Sequence, residues 1–364
     1  MRYIGLSLTT QSPVLLSKAP PAQNLMETLD VVPGNSLRGL LAWHSLQKGA
    51  DAKDQAFRRL FLQGKTRFGF ARINGSQAIP LSARSCKYGT GFKKDGGHGV
   101  MDLLLADDKE KRCRRAGCGQ SVDYLEGFWN PGDATQMRVL KRLITRTAID
   151  PVLGTAASGQ LYSQRVIEEG QIFRAVIEVP EDLSGELEKL IADPFVAGIG
   201  TGRSRGQGWV EVRRDVPSRF ELCQSAGERF DRFKSTQGIP VLAVTLLSDG
   251  IFHDEYLRDC TAPSLYHLEA LGIDSKQWDP ILFRAFASSG WIFGFDGVPL
   301  CLPRTPRLAV AAGSAFLFKA KDGFEPTIPV GDGVGWIGDN NREGFGHAVL
   351  WHPFHLDPEQ EADS

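Results

Sequence analysis

The chain has 364 residues with 42 basic and 43 acidic side chains, a formal net charge of -1, and that length leaves room for two domains or one duplicated domain. Hydrophobic residues make up 42% and charged residues 23%, which excludes disordered, collagen-like and membrane-embedded classes. The balanced charge excludes a uniformly basic nucleic-acid coat, so any polyanion site must be local.

Residues 3–10 alternate polar and apolar side chains with no signal-like apolar core, so they read as a first strand. No window approaches a membrane span, and the reading expects a cytosolic chain with no membrane partner. Pro33-Gly34 marks a turn, and Asn35 and Ser36 can open a helix to about Gln47 with Leu37, Leu40, Leu41, His44 and Ser45 at helical spacing. A strand over 66–73 follows, then an insertion over 82–130 rich in Gly, Lys, Arg and Cys. Extended segments over 159–163 and 171–179 flank the Glu168-Glu169-Gly170 turn, a helix covers 182–191, and a glycine-rich loop leads to a strand over 209–212. Residues 215–238 read as a linker or connecting helix.

The second half repeats the order: a strand over 240–247, a broken helical region over 256–271, strands over 292–295 and 308–319, a second glycine-rich loop, and a strand over 345–351. The expected fold class is therefore α+β and duplicated, with helices on one face of an antiparallel sheet in each half. Its first domain covers 1–214 with the insertion at 82–130, and a linker over 215–238 leads to a second domain over 239–356 and an acidic tail over 357–364.

Charge is spread unevenly. From Arg84 to Arg115 nine basic residues face five acidic ones, and Arg138, Lys141, Arg142 and Arg146 form a stretch without acids. Solvated faces often look like this, so the charge alone does not make a polyanion surface. The loop from Gly198 to Gly208 carries five glycines in eleven residues, with Arg203 and Arg205 between them. Glycines at φ > 0 let backbone N–H groups converge on an anion, and guanidiniums beside them add bidentate phosphate donors. Neither a Walker loop nor a dinucleotide fingerprint is spelled here, because the loop precedes a strand instead of opening a helix. Taken singly, it is equally a tight hairpin with solvent-facing arginines. The second loop, 331–346, sets Arg342 among Gly338, Gly344 and Gly346.

These paired loops resemble those that close the RRM-like (ferredoxin-like) domains of the RAMP superfamily of CRISPR-associated proteins. The segment Val32-Pro-Gly-Asn-Ser-Leu-Arg-Gly39 is similar to the element that begins the first helix in type III RAMP subunits, with Arg38 at its basic position, and 145–162 looks like their thumb hairpin. With its cysteine-bearing insertion the chain looks most like the Csx-type subunit of type III-D effector complexes. The resemblance implies a non-catalytic RNA-binding subunit that caps the complex at the repeat-derived five-prime end of the guide RNA. Its implied neighbours are the large polymerase-like subunit, the backbone RAMP subunits and target RNA. The RNA contacts it implies are Arg38, Arg146, Tyr162, Gly200, Gly202, Arg203, Arg205, Gly206, Gly338, Arg342, Gly344 and Gly346.

A rival reading within the family is an endoribonuclease that processes the repeat transcript with His44 as general acid or base, although His44 follows the helix's apolar stripe beside Leu40 and Leu41 and reads first as a core or boundary histidine. Asp30 and Glu27 precede the Pro-Gly turn where other members carry a cleaving aspartate. Phe68, Phe70, Tyr162 and Trp209 are candidates for base stacking or, equally, core packing. Cys86, His98, Cys113 and Cys118 follow a C-x11-H-x14-C-x4-C spacing. That set suits a structural, tetrahedral zinc in an insertion too small for its own core, with three reduced cysteines and an exposed His98 as the bland alternative. Cys223, Cys260 and Cys301 stand apart and read as packing.

Overall fold

The first strand, Arg2–Thr10, buries Ile4, Leu6 and Leu8 on one face because its apolar residues recur at period two. The computed structural model that contains it describes residues 1–20, 24–63, 65–106, 112–149, 156–217, 224–296 and 302–359. Residues 150–155 of the expected thumb, the tail beyond residue 359, Cys223 and Cys301 lie outside them.

Arg2–Thr10 is the middle of an antiparallel sheet ordered Phe195–Gly198, Trp209–Asp215, Arg2–Thr10, Ile172–Val179 and Arg67–Phe68. The strand expected over 66–73 is broken into Arg67–Phe68 and Arg72–Ile73, both on Ile172–Val179. Between them Ala71 exchanges two 2.9 Å backbone bonds with Val32, which draws the chain out of the sheet. Helix Gly34–Gln47 begins one residue before the expected Asn35, and no side chain caps it. The turn is set by contact instead: a Cβ on Gly34 would stand 1.9 Å from the Phe68 carbonyl oxygen. This helix and Glu181–Leu190 press Leu37, Leu40, Leu41, Leu183 and Leu187 onto the sheet to form the first core.

The second sheet is ordered Val334–Trp336, His347–Leu350, Val241–Leu246, Ala315–Ala320 and Trp278–Phe286. Each half thus places its opening strand centrally, its last strand beside it, and at the edge the strand that leads into its left-handed glycine turns, which in the second half, Val334–Trp336, lies within the loop expected over 331–346. The strand expected over 308–319 is two strands, Arg307–Val310 and Ala315–Ala320, and only the second joins this sheet. The stretch expected to link the halves carries helix Ala226–Gln237, opened by a capping box between Ser225 and Glu228. Phe230 and Phe233 of that helix lie in the second core.

A long hairpin, Lys141–Ile149 with Ala156–Ile167, stands off the first sheet, and the short strand Leu25–Glu27 pairs in parallel with its second arm. The insertion builds a three-stranded sheet from Ala83–Cys86, Val100–Asp102 and Val122–Tyr124. Although it interrupts the first half in sequence, Leu104 and Leu105 enter the second core, and the Arg284 guanidinium donates to the carbonyls of Leu103, Leu104 and Ala106.

Candidate functional site

The two glycine-rich loops have the same backbone. In the first, Gly200, Gly202, Gly206 and Gly208 have φ of +69°, +79°, +76° and +81°, and one 3-10 turn, Arg203–Arg205, spans Gly202 to Gly206. In the second, Gly338, Asn340, Gly344 and Gly346 have φ of +68°, +56°, +90° and +77° around the turn Asn341–Glu343. Hydrogen bonds correspond as well. The Ile199 N–H donates to Gly208 O as Ile337 does to Gly346 O, both at 2.8 Å. Trp209 and His347 each donate an N–H to a serine hydroxyl, Ser12 and Ser248, at 2.9 Å.

Their surroundings are opposite. The first loop faces solvent, with Arg203 and Arg205 exposed. Arg205 donates to the Tyr162 hydroxyl at 2.9 Å, and Tyr162 stands opposite Arg146 in the hairpin register. Below them the Gln207 amide donates to the Gln164 Oε1 at 3.2 Å and ties loop to hairpin. Trp209 follows the loop and is 40% exposed, so its ring remains open to a ligand. Arg146, Tyr162, Arg203 and Arg205 therefore share one basic, solvent-facing surface.

The second loop faces inward, against the first half. A Cβ on Gly344 would stand 2.5 Å from the Phe68 carbonyl, and Phe345 meets Phe70 edge-on at 5.1 Å. Glu343 accepts from Arg38 at 3.2 Å and from Arg304 at 2.9 Å. The Arg342 Nε is buried without a hydrogen-bond partner, and burial, followed by the nearby Arg38 charge, pushes the Arg342 pKa below its ordinary value. Arg38, Arg342 and Gly344 thus lie together at the junction of the halves, while Gly338 and Gly346 face Ile251 and Ile337 within the second half. Phe68 and Phe70 take the second of the two readings open to them and are core residues. Arg304 escaped sequence reasoning, since an isolated arginine between two prolines carries no motif.

The acid–base candidates are engaged elsewhere. His44 is buried and stacks on Phe195 at 3.5 Å with ring planes 4° apart. Burial, reinforced by Lys48 and opposed by a backbone bond at Leu190, lowers its pKa. Asp30 is ion-paired with Lys141, and Glu27 with Arg165 at 3.0 Å.

In the insertion Cys86, His98, Cys113 and Cys118 converge, with ligand atoms all within 4.8 Å of one another. The sulfurs of Cys86 and Cys118 are 3.7 Å apart, and the Cys113 sulfur lies 3.6 Å from the His98 Nδ1. A tetrahedron with metal–sulfur bonds of about 2.3 Å places its sulfurs about 3.8 Å apart, so the donor set fits a metal ion. Gly89 makes room for the imidazole, because a Cβ there would stand 2.1 Å from the His98 Cδ2. Burial alone would raise the Cys86 thiol, but N–H donors at Tyr88 and Gly89 and the thiols of Cys118 and Cys113 outweigh it and lower the pKa. Burial raises Cys113 despite a backbone bond at Arg115. Cys260 packs at the margin of the second core.

Curled antiparallel sheets that close on arginine-bearing glycine turns define a class of α+β protein. Within it the chain belongs to the RAMP superfamily, whose sequence model matches residues 7–211. No curated protein matches the chain. Among solved structures it is similar to a chain of the type III-B Cmr-beta complex bound to cognate target RNA and AMPPnP, at 13% identity, 86% of each chain covered and a TM-score of 0.46. It is also similar to oligomeric Cmr4 from Pyrococcus furiosus, at 13% identity over 59% of this chain and 99% of that one, TM-score 0.29. A chain of a type IV-B CRISPR complex is 10% identical over 61% of this chain and 95% of that one, TM-score 0.32. Among the described residues no helix is long and apolar enough to cross a membrane.

Proposed function

We propose that this protein is a non-catalytic, RNA-binding subunit of a type III CRISPR effector complex, of the Csx-type found in type III-D. It holds the repeat-derived five-prime end of the guide RNA and caps the assembly beside the large polymerase-like subunit and the backbone RAMP subunits, near target RNA. The observation that carries this reading is the exposed first loop, whose Arg203 and Arg205 stand with Tyr162 and Arg146 of the hairpin. Arginines on left-handed glycine turns bind phosphates without reading bases, which suits a subunit that must accept any guide. The shared strand order and matched loop bonds support two RRM-like domains, 1–214 with the insertion and 239–356, the second taking helix Ala226–Gln237 from the 215–238 linker.

Zinc in the four-residue centre is structural in this reading, because four protein ligands leave no open position for chemistry. The endoribonuclease reading gains nothing from His44, whose imidazole is stacked in the core, or from Asp30, whose charge is paired.

The test is RNA affinity across a salt series for Arg203→Ala/Arg205→Ala. Removing two phosphate contacts should weaken binding at least about tenfold and flatten the log–log salt slope by about 1.4. Unchanged affinity and slope would overturn the proposal.

A further inference from the structure

We infer that the rim of the cysteine–histidine centre is a second surface for single-stranded RNA, with a base stacked on Tyr88 and phosphates on Arg112 and Arg115. This rests on the RNA-binding reading above but uses none of the residues that carry it. Tyr88 is 79% exposed, although it sits two residues after buried Cys86. The Thr90 hydroxyl donates to the Cys86 carbonyl at 3.1 Å, so Tyr88 lies in a turn closed on the metal-ligand candidate Cys86. A large aromatic ring turned to water has no packing role, whereas base–aromatic stacking accepts any base.

Beside it lies a shallow concavity of about 380 Å³, walled by Tyr88, His98, Arg115 and Gln120 and floored by Gly117 and Cys118. Gly117 has φ +77° and no atom within 4 Å of a built Cβ, so nothing blocks the approach of a planar ring.

The charge around the rim is complementary to phosphate. Lys87, Arg112 and Arg115 are exposed, and Lys87 and Arg112 both pair with the backbone of Ser121. Asp123 lies 3.9 Å from Lys87 and accepts the Tyr124 N–H at 2.9 Å, and among the described residues no acid is ion-paired with Arg112 or Arg115. A basic rim around an exposed ring favours a flexible polyanion over a protein surface.

The experiment titrates labelled single-stranded polyuridine against the full-length, metal-loaded protein, followed by ultraviolet cross-linking and peptide mapping. Tyr88→Ala should weaken binding about tenfold while Tyr88→Phe retains it, since the ring and not the hydroxyl stacks. Arg115→Glu should weaken it as well, and more at low salt than at high. Cross-links on the unmodified protein should fall at Tyr88 or in 112–120, a readout that does not depend on any variant folding. Wild-type affinity in Tyr88→Ala together with no cross-link in these segments overturns the inference. If Arg203→Ala/Arg205→Ala still loses affinity, the proposed function survives that failure. If neither variant loses affinity, both readings fall. Cross-linking of Tyr88 to a protein subunit in the assembled complex, with none to RNA, also overturns the inference.

Discussion

Arg229 has no exposed surface, and its guanidinium donates to four carbonyl oxygens: Trp351 at 3.0 Å, Leu350 at 2.9 Å, and Gln224 and Asp332 at 2.5 Å each. Burial takes its pKa down to about 10, so the charge persists at neutral pH and is spread over backbone dipoles. Lysine has one donor centre and no fork, so Arg229→Lys should leave buried carbonyls unbonded. The expected loss is on the order of 3 kcal/mol, read from the urea midpoint. His352 gives a pH dependence at the same scale. Its Nδ1 accepts the Phe354 N–H at 3.1 Å, and its Nε2 faces the Gln77 Oε1 at 3.2 Å, an arrangement met by the neutral tautomer with hydrogen on Nε2. Burial, then His355 and Arg229, push its pKa well below the ordinary 6.5. Because the folded value is depressed, this stabilisation is present above pH 6.5 and is lost as pH falls below it. The loss is about 1.4 kcal/mol per pH unit. His352→Asn keeps an acceptor in place of Nδ1 without a titrating ring, so its melting temperature should fall less steeply on acidification than that of the parent. Equal slopes would refute the assignment.

At the scale of the element, the glycine turns separate backbone need from surface need. A Cβ on Gly208 would stand 2.1 Å from the Ile199 carbonyl oxygen, and one on Gly346 would stand 1.9 Å from that of Ile337. At Gly206 nothing lies within 4 Å, and only the φ of +76° resists a side chain. Gly206→Ala should therefore cost about 1 kcal/mol. Gly208→Ala and Gly346→Ala should each cost on the order of 3 kcal/mol, as strain and a backbone clash add. Chemical denaturation of the three variants checks the order. The glycines were legible in the sequence because left-handed turns select them whatever lies nearby. What surrounds each loop was not legible: Glu343 meets Arg38, 305 positions earlier in the chain, and that contact turns the second arginine-bearing loop into a seam between halves. The convergence of Cys86, His98, Cys113 and Cys118 was more legible than the arginines, since thiols at irregular spacing in a coreless insertion have few other uses. His44 was legible as a core residue for a physical reason, because the helical spacing that sets it beside Leu40 and Leu41 also points it into the core. The stretch over 215–238 left linker and connecting helix open because its polar residues dominate the composition, while Phe230 and Phe233, at i and i+3, suffice to dock a helix.

The whole molecule is interlocked in two directions, which sets how loss of a metal held by the cysteine–histidine cluster would propagate. The second loop presses on the first half through Glu343 and Phe345, while the insertion, born in the first half, is built into the second. Asp102 of the insertion lies 3.1 Å from the His355 Nδ1, and the His355 Nε2 lies 2.7 Å from the Thr245 hydroxyl on the central strand of the second sheet. Glu359, near the C-terminus, accepts the N–H of Val100 at 2.6 Å and that of Lys93 at 3.2 Å. Cys86 ends the very strand, Ala83–Cys86, that pairs with Val100–Asp102. Without a metal to hold Cys86 to Cys113 and Cys118, the chain on that side of the strand loses its fixed point, and Asp102, Leu104 and Leu105 lose the register that aims them at the second core. Chelation should therefore lower the melting temperature by about 5–10 °C in one transition and not merely loosen a loop. Hydrogen exchange should rise first in 83–86 and 100–105 and then in helix Ala226–Gln237, whose Gln237 side chain donates to the Leu105 carbonyl at 2.5 Å. Exchange confined to 112–121, with an unchanged melting temperature, would mean that the insertion docks by its apolar contacts alone, and that the metal shapes only its rim.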